Sequence, residues 1–234
     1  MQHIRLYFSK ILNTIFPPKC YGCHRKNTPL CDECLQKCAK SIDTPAIYIT
    51  SLYSFKDPLI KRVIHAIKYY HRRDLIEPIV ERLAEKLQET SSLKQGVSNA
   101  DSRSESDLSD HAVSYKLQAV GWTFVPISMP KLRKYIRGYN QAELIARELS
   151  KKCNISYDSN LLVRTRSPKR QVKTSTRGER LQNQSKSFKV TSDVSSLNII
   201  LVDDVTTTGA TIAEARKVLL KAGARSVKAI TIAH

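Results

Sequence analysis

The sequence predicts an α/β fold: a parallel sheet flanked by helices, with a small cysteine-rich module in front. Three observations lead there. Strand-like and helix-like stretches alternate from residue 46 onward, the pattern of a parallel sheet covered on both faces. NIILV (198–202) is apolar after Asn198, as a strand buried on both faces is, and it runs into DDVTTTGAT and then a helical stretch. Five of the six cysteines crowd between Cys20 and Cys38.

The first element is an amphipathic helix. Ile4, Tyr7, Phe8, Ile11, Leu12, Ile15 and Phe16 recur at helical spacing, and Pro17 and Pro18 stop it. Its apolar residues are spaced rather than continuous and no small-residue cleavage site follows, so it does not read as a signal peptide. It packs on its own domain or, with Arg5 and Lys10 off the apolar stripe, makes peripheral contact with a membrane through residues 4–16. No stretch approaches the roughly 18 apolar residues of a membrane span. The expected location is cytoplasmic, at the inner face of the membrane if the helix docks there.

Cys20, Cys23, Cys31 and Cys34 form two CxxC pairs. Two such knuckles place four thiolates around a tetrahedral ion, and Zn²⁺ suits that set. Disulfides compete, but a chain without a secretory signal sits in a reducing compartment, which disfavours them. A closed four-sulfur site is structural, because no coordination position is left for a substrate. His24 and Cys38 lie near and are read as spares. The helix and zinc module take residues 1–45, and the main domain takes 46–234.

IYITSLYSF (47–55) reads as a strand. Asp57-Pro58 opens a helix with Leu59, Ile60, Val63, Ile64 and Ile67 inward. HRRD (71–74) breaks it. A second helix carries Ile79, Val80, Leu83, Ala84 and Leu87 inward, and Pro78 confines its regular part to the residues after about 77. Residues 91–114 are rich in Ser, Asp and Asn and read as a flexible insertion. AVGWTFVPIS (119–128) is a buried strand and MPKLRKYIRGYN a basic loop. Asn140 caps a helix from Gln141 to Lys152, and Leu161 to Val163 is a short strand. After NIILV comes a helix from about Thr211 to Lys221, stopped by Gly223, and SVKAITIAH is the last strand.

Charge narrows the partners. Lys and Arg number 39 against 21 Asp and Glu, a formal net charge of +18, which attracts polyanions. Yet Asp203 and Asp204 stand side by side at the end of a strand, where open parallel sheets bind ligands. The loop after them is small and uncharged. Gly209 lets backbone approach a ligand, Thr207, Thr208 and Thr211 offer hydroxyls, and free amides at a helix start cradle phosphate. A carboxylate pair accepts hydrogen bonds from a vicinal diol or holds Mg²⁺. A ribose 5-phosphate unit supplies both diol and phosphate. The P-loop and three-glycine dinucleotide patterns are absent.

Residues 164–189 hold nine Lys or Arg and one Glu. That excess suits a nucleic-acid backbone. The basic candidates for such a partner are Arg133, Lys134, Arg137, Arg164, Arg166, Lys169, Arg170, Lys173, Arg177 and Arg180. Tyr69, Tyr70, Tyr135, Tyr139 and Phe188 are the rings available to stack on single-stranded bases, and the tyrosines are equally suited to the core. Arg133, Arg137 and Lys131 also follow a strand end, so they are placed to offset charge developing on a pyrophosphate leaving group.

LVDDVTTTGAT resembles the phosphoribosyl pyrophosphate (PRPP) motif of type I phosphoribosyltransferases. With the CxxC pairs, VPIS, RGYNQAELIA, then Arg164, Gln171, Arg180, Asn183 and Phe188 in order, the chain resembles the ComF family of competence proteins over nearly its whole length. The resemblance implies a type I phosphoribosyltransferase fold behind a zinc ribbon. It implies that Asp203 and Asp204 bind the ribose hydroxyls and that Thr207 to Thr211 wrap the 5-phosphate. The PRPP-binding set is then Asp203, Asp204, Val205, Thr206, Thr207, Thr208, Gly209, Ala210 and Thr211, joined by Lys131 and Arg133; Asp203, Asp204 and Arg137 are the catalytic candidates. Mg²⁺ accompanies the pyrophosphate. Two departures stand out: His71 lies near the place where the family has glycine after the residue matching Lys68, and the 91–114 insertion is long.

Two main functions are consistent with this reading, with a zinc-bearing scaffold for competence or replication proteins as a lesser third. One is a natural-transformation protein that binds single-stranded DNA and PRPP, alongside other competence or recombination proteins. The other is an active phosphoribosyltransferase acting on an unknown acceptor. No side chain stands out as a general base, and the sequence names no acceptor.

Overall fold

The structure is a computed structural model and describes residues 17–92, 121–165 and 187–234. The expected helix at 4–16, the insertion from residue 93 on, and Arg166, Lys169, Arg170, Gln171, Lys173, Arg177, Arg180, Asn183 and Gln184 lie outside the described residues.

Within that range the elements run α1 (Asp32–Lys37), β1 (Ile49–Tyr53), α2 (Pro58–Tyr69), α3 (Ile76–Ser92), β2 (Trp122–Pro126), α4 (Lys131–Arg137), α5 (Gln141–Cys153), β3 (Ser156–Tyr157), β4 (Leu162–Arg164), β5 (Phe188–Val190), β6 (Asn198–Val205), α6 (Ala210–Lys221) and β7 (Ser226–Ala233). Five strands form one parallel sheet in the order β1-β7-β6-β2-β3, and β4 and β5 make a separate antiparallel pair.

Alternation along β6 explains the layers. Ile200 and Val202 join the core made with α2, α3 and α5, where Ile60, Ile64, Leu83, Ile145 and Leu149 pack. Ile199 and Leu201 point the other way, into the core under α6 and the β4–β5 pair, with Ile212, Leu219, Leu162 and Phe188. A period of two with both faces apolar is what a buried parallel strand requires. The cysteine module is not a satellite. Cys20, Leu30, Cys31 and Leu35 are buried in the same core as Tyr53 and Ile60.

Local chemistry set most element ends. The Asp57 carboxylate accepts the Leu59 and Ile60 amides at 2.9 and 3.1 Å, with Pro58 in the first turn of α2. Three expectations are corrected. The stretch before RGYNQ is not a loop: residues 131–137 form α4, bounded by Pro130 and by Gly138 in the left-handed region. Pro78 does not delay its helix. A short 3₁₀ turn, Arg73–Leu75, feeds α3 from Ile76, and the proline lies in the first turn, where no intrahelical amide is needed. Asn140 occupies the N-cap position of α5 but its side chain does not cap; Nδ2 donates to the Ile127 carbonyl at 3.0 Å instead.

Candidate functional site

The cysteine cluster meets the test for a tetrahedral metal. All four sulfurs of Cys20, Cys23, Cys31 and Cys34 lie within 4.8 Å of one another. Cys20 Sγ stands 3.6 Å from Cys31 Sγ and 3.8 Å from Cys34 Sγ, and Cys23 Sγ stands 3.6 Å from Cys31 Sγ. Zn²⁺ with bonds of about 2.3 Å to four tetrahedral sulfurs sets them about 3.8 Å apart. The fold is tight around them: a Cβ at Gly22 would fall 2.7 Å from Cys34 Sγ. The Gly22 and Cys31 amides donate to Cys20 Sγ, and such bonds lower its thiol to about 6 although burial opposes them. Cys38 is outside the set; its thiol donates to the Cys34 carbonyl, and burial next to the Asp57 carboxylate raises it to about 11. His24 is outside it too.

The second site lies at the carboxyl ends of β2 and β6. Asp203 and Asp204 are not beyond the strand, because β6 continues to Val205 and Asp203 is in register with Thr231 of β7. Neighbours on a strand leave on opposite faces. Asp204 accordingly turns toward α2, where its Oδ2 is 2.9 Å from Lys68 Nζ. Asp203 belongs to the other face and feels the Arg164 charge there. The two carboxylates still sense each other. Burial, then the Asp204 charge, raises the Asp203 carboxyl far above the ordinary carboxylate range, against the Asp204 amide and Lys68.

The loop behind them joins β6 to the start of α6. Thr206 is buried, its amide donating to Ala233 and its carbonyl facing His234 Nδ1. Thr207, Thr208, Ala210 and Thr211 are exposed around the start of the 12-residue α6. Gly209 has a reason of its own in the fold. Its φ is +73°, and an added Cβ would meet Pro45 Cγ at 3.0 Å, so the glycine serves the turn and the packing beneath it.

Arg164 belongs here structurally. Its Nε donates to the Ser128 carbonyl at 3.1 Å, and its guanidinium lies 4.6 Å over the Phe188 ring. Burial lowers its pKa, while Glu214 and Asp203 oppose that and Arg133 adds to it. Arg133, on α4, is thus near enough to Arg164 for their charges to repel. Lys131, Arg133 and Lys134 are exposed on α4, with Lys134 paired to Glu143 at 2.9 Å. Arg137 is half-buried, donating to Gln141 Oε1 at 2.7 Å and lying 5.2 Å over the Tyr69 ring.

Two of the five candidate rings belong to the core. Phe188 and Tyr139 are each 6 % exposed; Phe188 sits in the hairpin core and the Tyr139 hydroxyl donates to the Ile67 carbonyl. Tyr69, Tyr70 and Tyr135 are 58, 64 and 88 % exposed; Tyr69 lies under Arg137, Tyr135 is on α4 among its cations, and Tyr70 packs edge-on against His65. Lys68 was matched to a family residue in the sequence but not assigned to the site, where its pair with Asp204 places it. His71, at the glycine-like place, has φ +54°, the region glycine enters without cost.

A family model described as "Phosphoribosyl transferase domain" matches residues 137–234. The chain is 30% identical over 198 residues to "DNA utilization protein YhgH" of Escherichia coli O157:H7, covering 85% of this chain and 74% of that protein. It is 32% identical over 107 residues to "Competence protein F" of Haemophilus influenzae, covering 44% and 46% of the two chains. It is 36% identical over 112 residues to "Competence protein ComFC" of Bacillus subtilis, covering 47% and 44%.

Proposed function

The chain belongs to the ComF family of competence and DNA-utilization proteins, and on that premise we propose that it handles single-stranded DNA during DNA uptake under the control of a bound PRPP molecule. One observation carries the reading. The carboxylate and phosphate-loop site and the exposed tyrosine–arginine face meet at the end of α2, where Lys68 pairs with Asp204 and Tyr69 lies under Arg137. The acids take the neutral ribose diol. The exposed amides and hydroxyls from Thr207 to Thr211 take the 5-phosphate. Lys68 and Arg164 are the cations flanking the acids, placed to balance a Mg²⁺-bound pyrophosphate. Tyr69, Tyr70 and Tyr135 stack bases, and the basic side chains of α4 follow the backbone. The zinc module braces this end of the molecule by sharing its core.

Those flanking cations also favour a second reading, turnover of PRPP with an acceptor, since they stand where leaving-group charge would develop. Fluorescence anisotropy with labelled single strands, in a salt series with and without PRPP–Mg²⁺, separates the readings. The proposal expects binding that weakens steeply with salt and responds to PRPP in the wild type. It expects no PRPP response in Asp203→Ala/Asp204→Ala. Failure to bind either ligand ends it. Pyrophosphate release in the presence of an acceptor, with no affinity for DNA, supports turnover.

A further inference from the structure

Three consecutive residues at the end of α2 are each held by a residue far along the chain. The Ile67 carbonyl accepts the Tyr139 hydroxyl. The Lys68 ammonium pairs with Asp204 at 2.9 Å. The Tyr69 ring lies 5.2 Å beneath the Arg137 guanidinium. Both grips on the flanking residues come from one short segment, Arg137 to Gln141.

That segment is itself anchored. Asn140 Nδ2 donates to the Ile127 carbonyl, and the Ile127 amide donates to Val202, the residue before Asp203. Gln141, 1 % exposed, accepts from Arg137. Tyr139 is buried, and the Arg73 guanidinium lies 4.4 Å over its ring. The anchoring answers a need at the helix end. The last carbonyls of a helix have no intrahelical amide, and here His71 leaves the helix at φ +54° while the Arg72 amide folds back to Ala66. Tyr139 takes the Ile67 carbonyl. A helix end without such a partner frays, and a lysine rooted on a frayed turn loses its geometry.

We propose that Tyr139 is a positioning residue for the carboxylate site: by holding the Ile67 carbonyl, its hydroxyl sets Lys68 against Asp204. The lysine is then already placed when a ligand's diol engages the acid, and its ammonium need not be ordered at that moment. The ligand side of this inference rests on the PRPP reading above. The geometric side does not.

The experiment has two arms and four proteins: wild type, Tyr139→Phe, Lys68→Ala and the double variant. Tyr139→Phe keeps the ring under Arg73 and removes only the hydroxyl. In the first arm, an amine-reactive ester labels the unliganded proteins and mass spectrometry reads each lysine. Labelling of Lys68 is expected to rise severalfold in Tyr139→Phe, with exposed Lys131 unchanged and the melting temperature nearly so. In the second arm, calorimetry measures PRPP–Mg²⁺ binding. Tyr139→Phe is expected to weaken it roughly fivefold, the scale of one hydrogen bond, and to change it less than twofold in the Lys68→Ala background. Unchanged Lys68 labelling overturns the proposal, as does an effect of Tyr139→Phe that persists in full without Lys68. A wild type that does not bind PRPP removes the function proposed above, and the labelling arm then decides the role of Tyr139 alone.

Discussion

Lys68 Nζ lies 2.9 Å from Asp204 Oδ2, joining the end of α2 to the end of β6 across the mouth of the site. The pair accounts for how two adjacent acids are tolerated at half-buried positions. Asp204 has a cation. Asp203, on the opposite face, has no such direct ion pair: burial and the Asp204 charge raise its carboxyl, against the pull of Lys68.

The protonated acid makes stability depend on pH. Burial and the Asp204 charge raise the Asp203 carboxyl to about 8, whereas the unfolded chain releases that proton near pH 4. Between these values the folded state holds a proton that the unfolded state lacks. The contribution is therefore complete below about pH 4 and is lost as pH rises through about 8. Asp203→Asn should flatten the slope and gain stability relative to wild type as pH rises from 5 to 9. Urea melts across that range check it. Parallel pH profiles for the two proteins would exclude a raised Asp203.

Metal removal should unfold more than the module. Because Cys20, Leu30, Cys31 and Leu35 share a core with Tyr53 and Ile60, loss of the cysteine geometry exposes the flank of the main domain. Stripping bound metal with a strong chelator should lower the melting temperature by on the order of 10 °C, and Cys23→Ser should do likewise. Melting curves with and without added Zn²⁺ are the measurement. An unchanged main transition would show that the module is an independent appendage.

The strands were legible because their signals are local: an apolar run for β6, alternation for β1, and an Asp-Pro start for α2. The helix α4 was hidden because its apolar residues Leu132, Tyr135 and Ile136 are 70, 88 and 75 % exposed, so their helical spacing marked no core. Its proline start and glycine stop were nonetheless in view. The acids and the phosphate loop could be read as a motif. Their partner Lys68 could not, since nothing local ties it to a strand far along the chain. Tyr139 stayed open between stacking and core because a tyrosine in a basic stretch looks the same whether its hydroxyl meets water or a buried carbonyl.

Two left-handed glycines should differ in their tolerance of alanine. Gly138 has φ +78° with open space around it, whereas Gly209 has φ +73° and Pro45 Cγ at 3.0 Å from an added Cβ. Gly138→Ala should cost about 1 kcal/mol, the ordinary strain of that region. Gly209→Ala carries the same strain plus the displacement of Pro45, about 2–3 kcal/mol in all. Denaturant midpoints of both variants give the comparison. Equal losses would mean that the loop over Pro45 yields freely.

The exposed rings offer the sharpest separation of nucleic-acid binding from stability. Tyr69 and Tyr135 have most of their surface in water, so truncating them removes little buried area and should leave the melting temperature within a few degrees. Stacking on a base is worth about 1–3 kcal/mol per ring, so each Tyr→Ala change should weaken single-strand binding by roughly fivefold or more. The salt slope should hardly change, because a tyrosine releases no counterions. Arg133→Ala should do the reverse, flattening the slope by about one phosphate contact. Anisotropy titrations at several salt concentrations distinguish the two behaviours. If Tyr135→Ala binds single strands as tightly as wild type while Arg133→Ala still weakens binding, the face attracts polyanions by charge alone and its tyrosines read no bases.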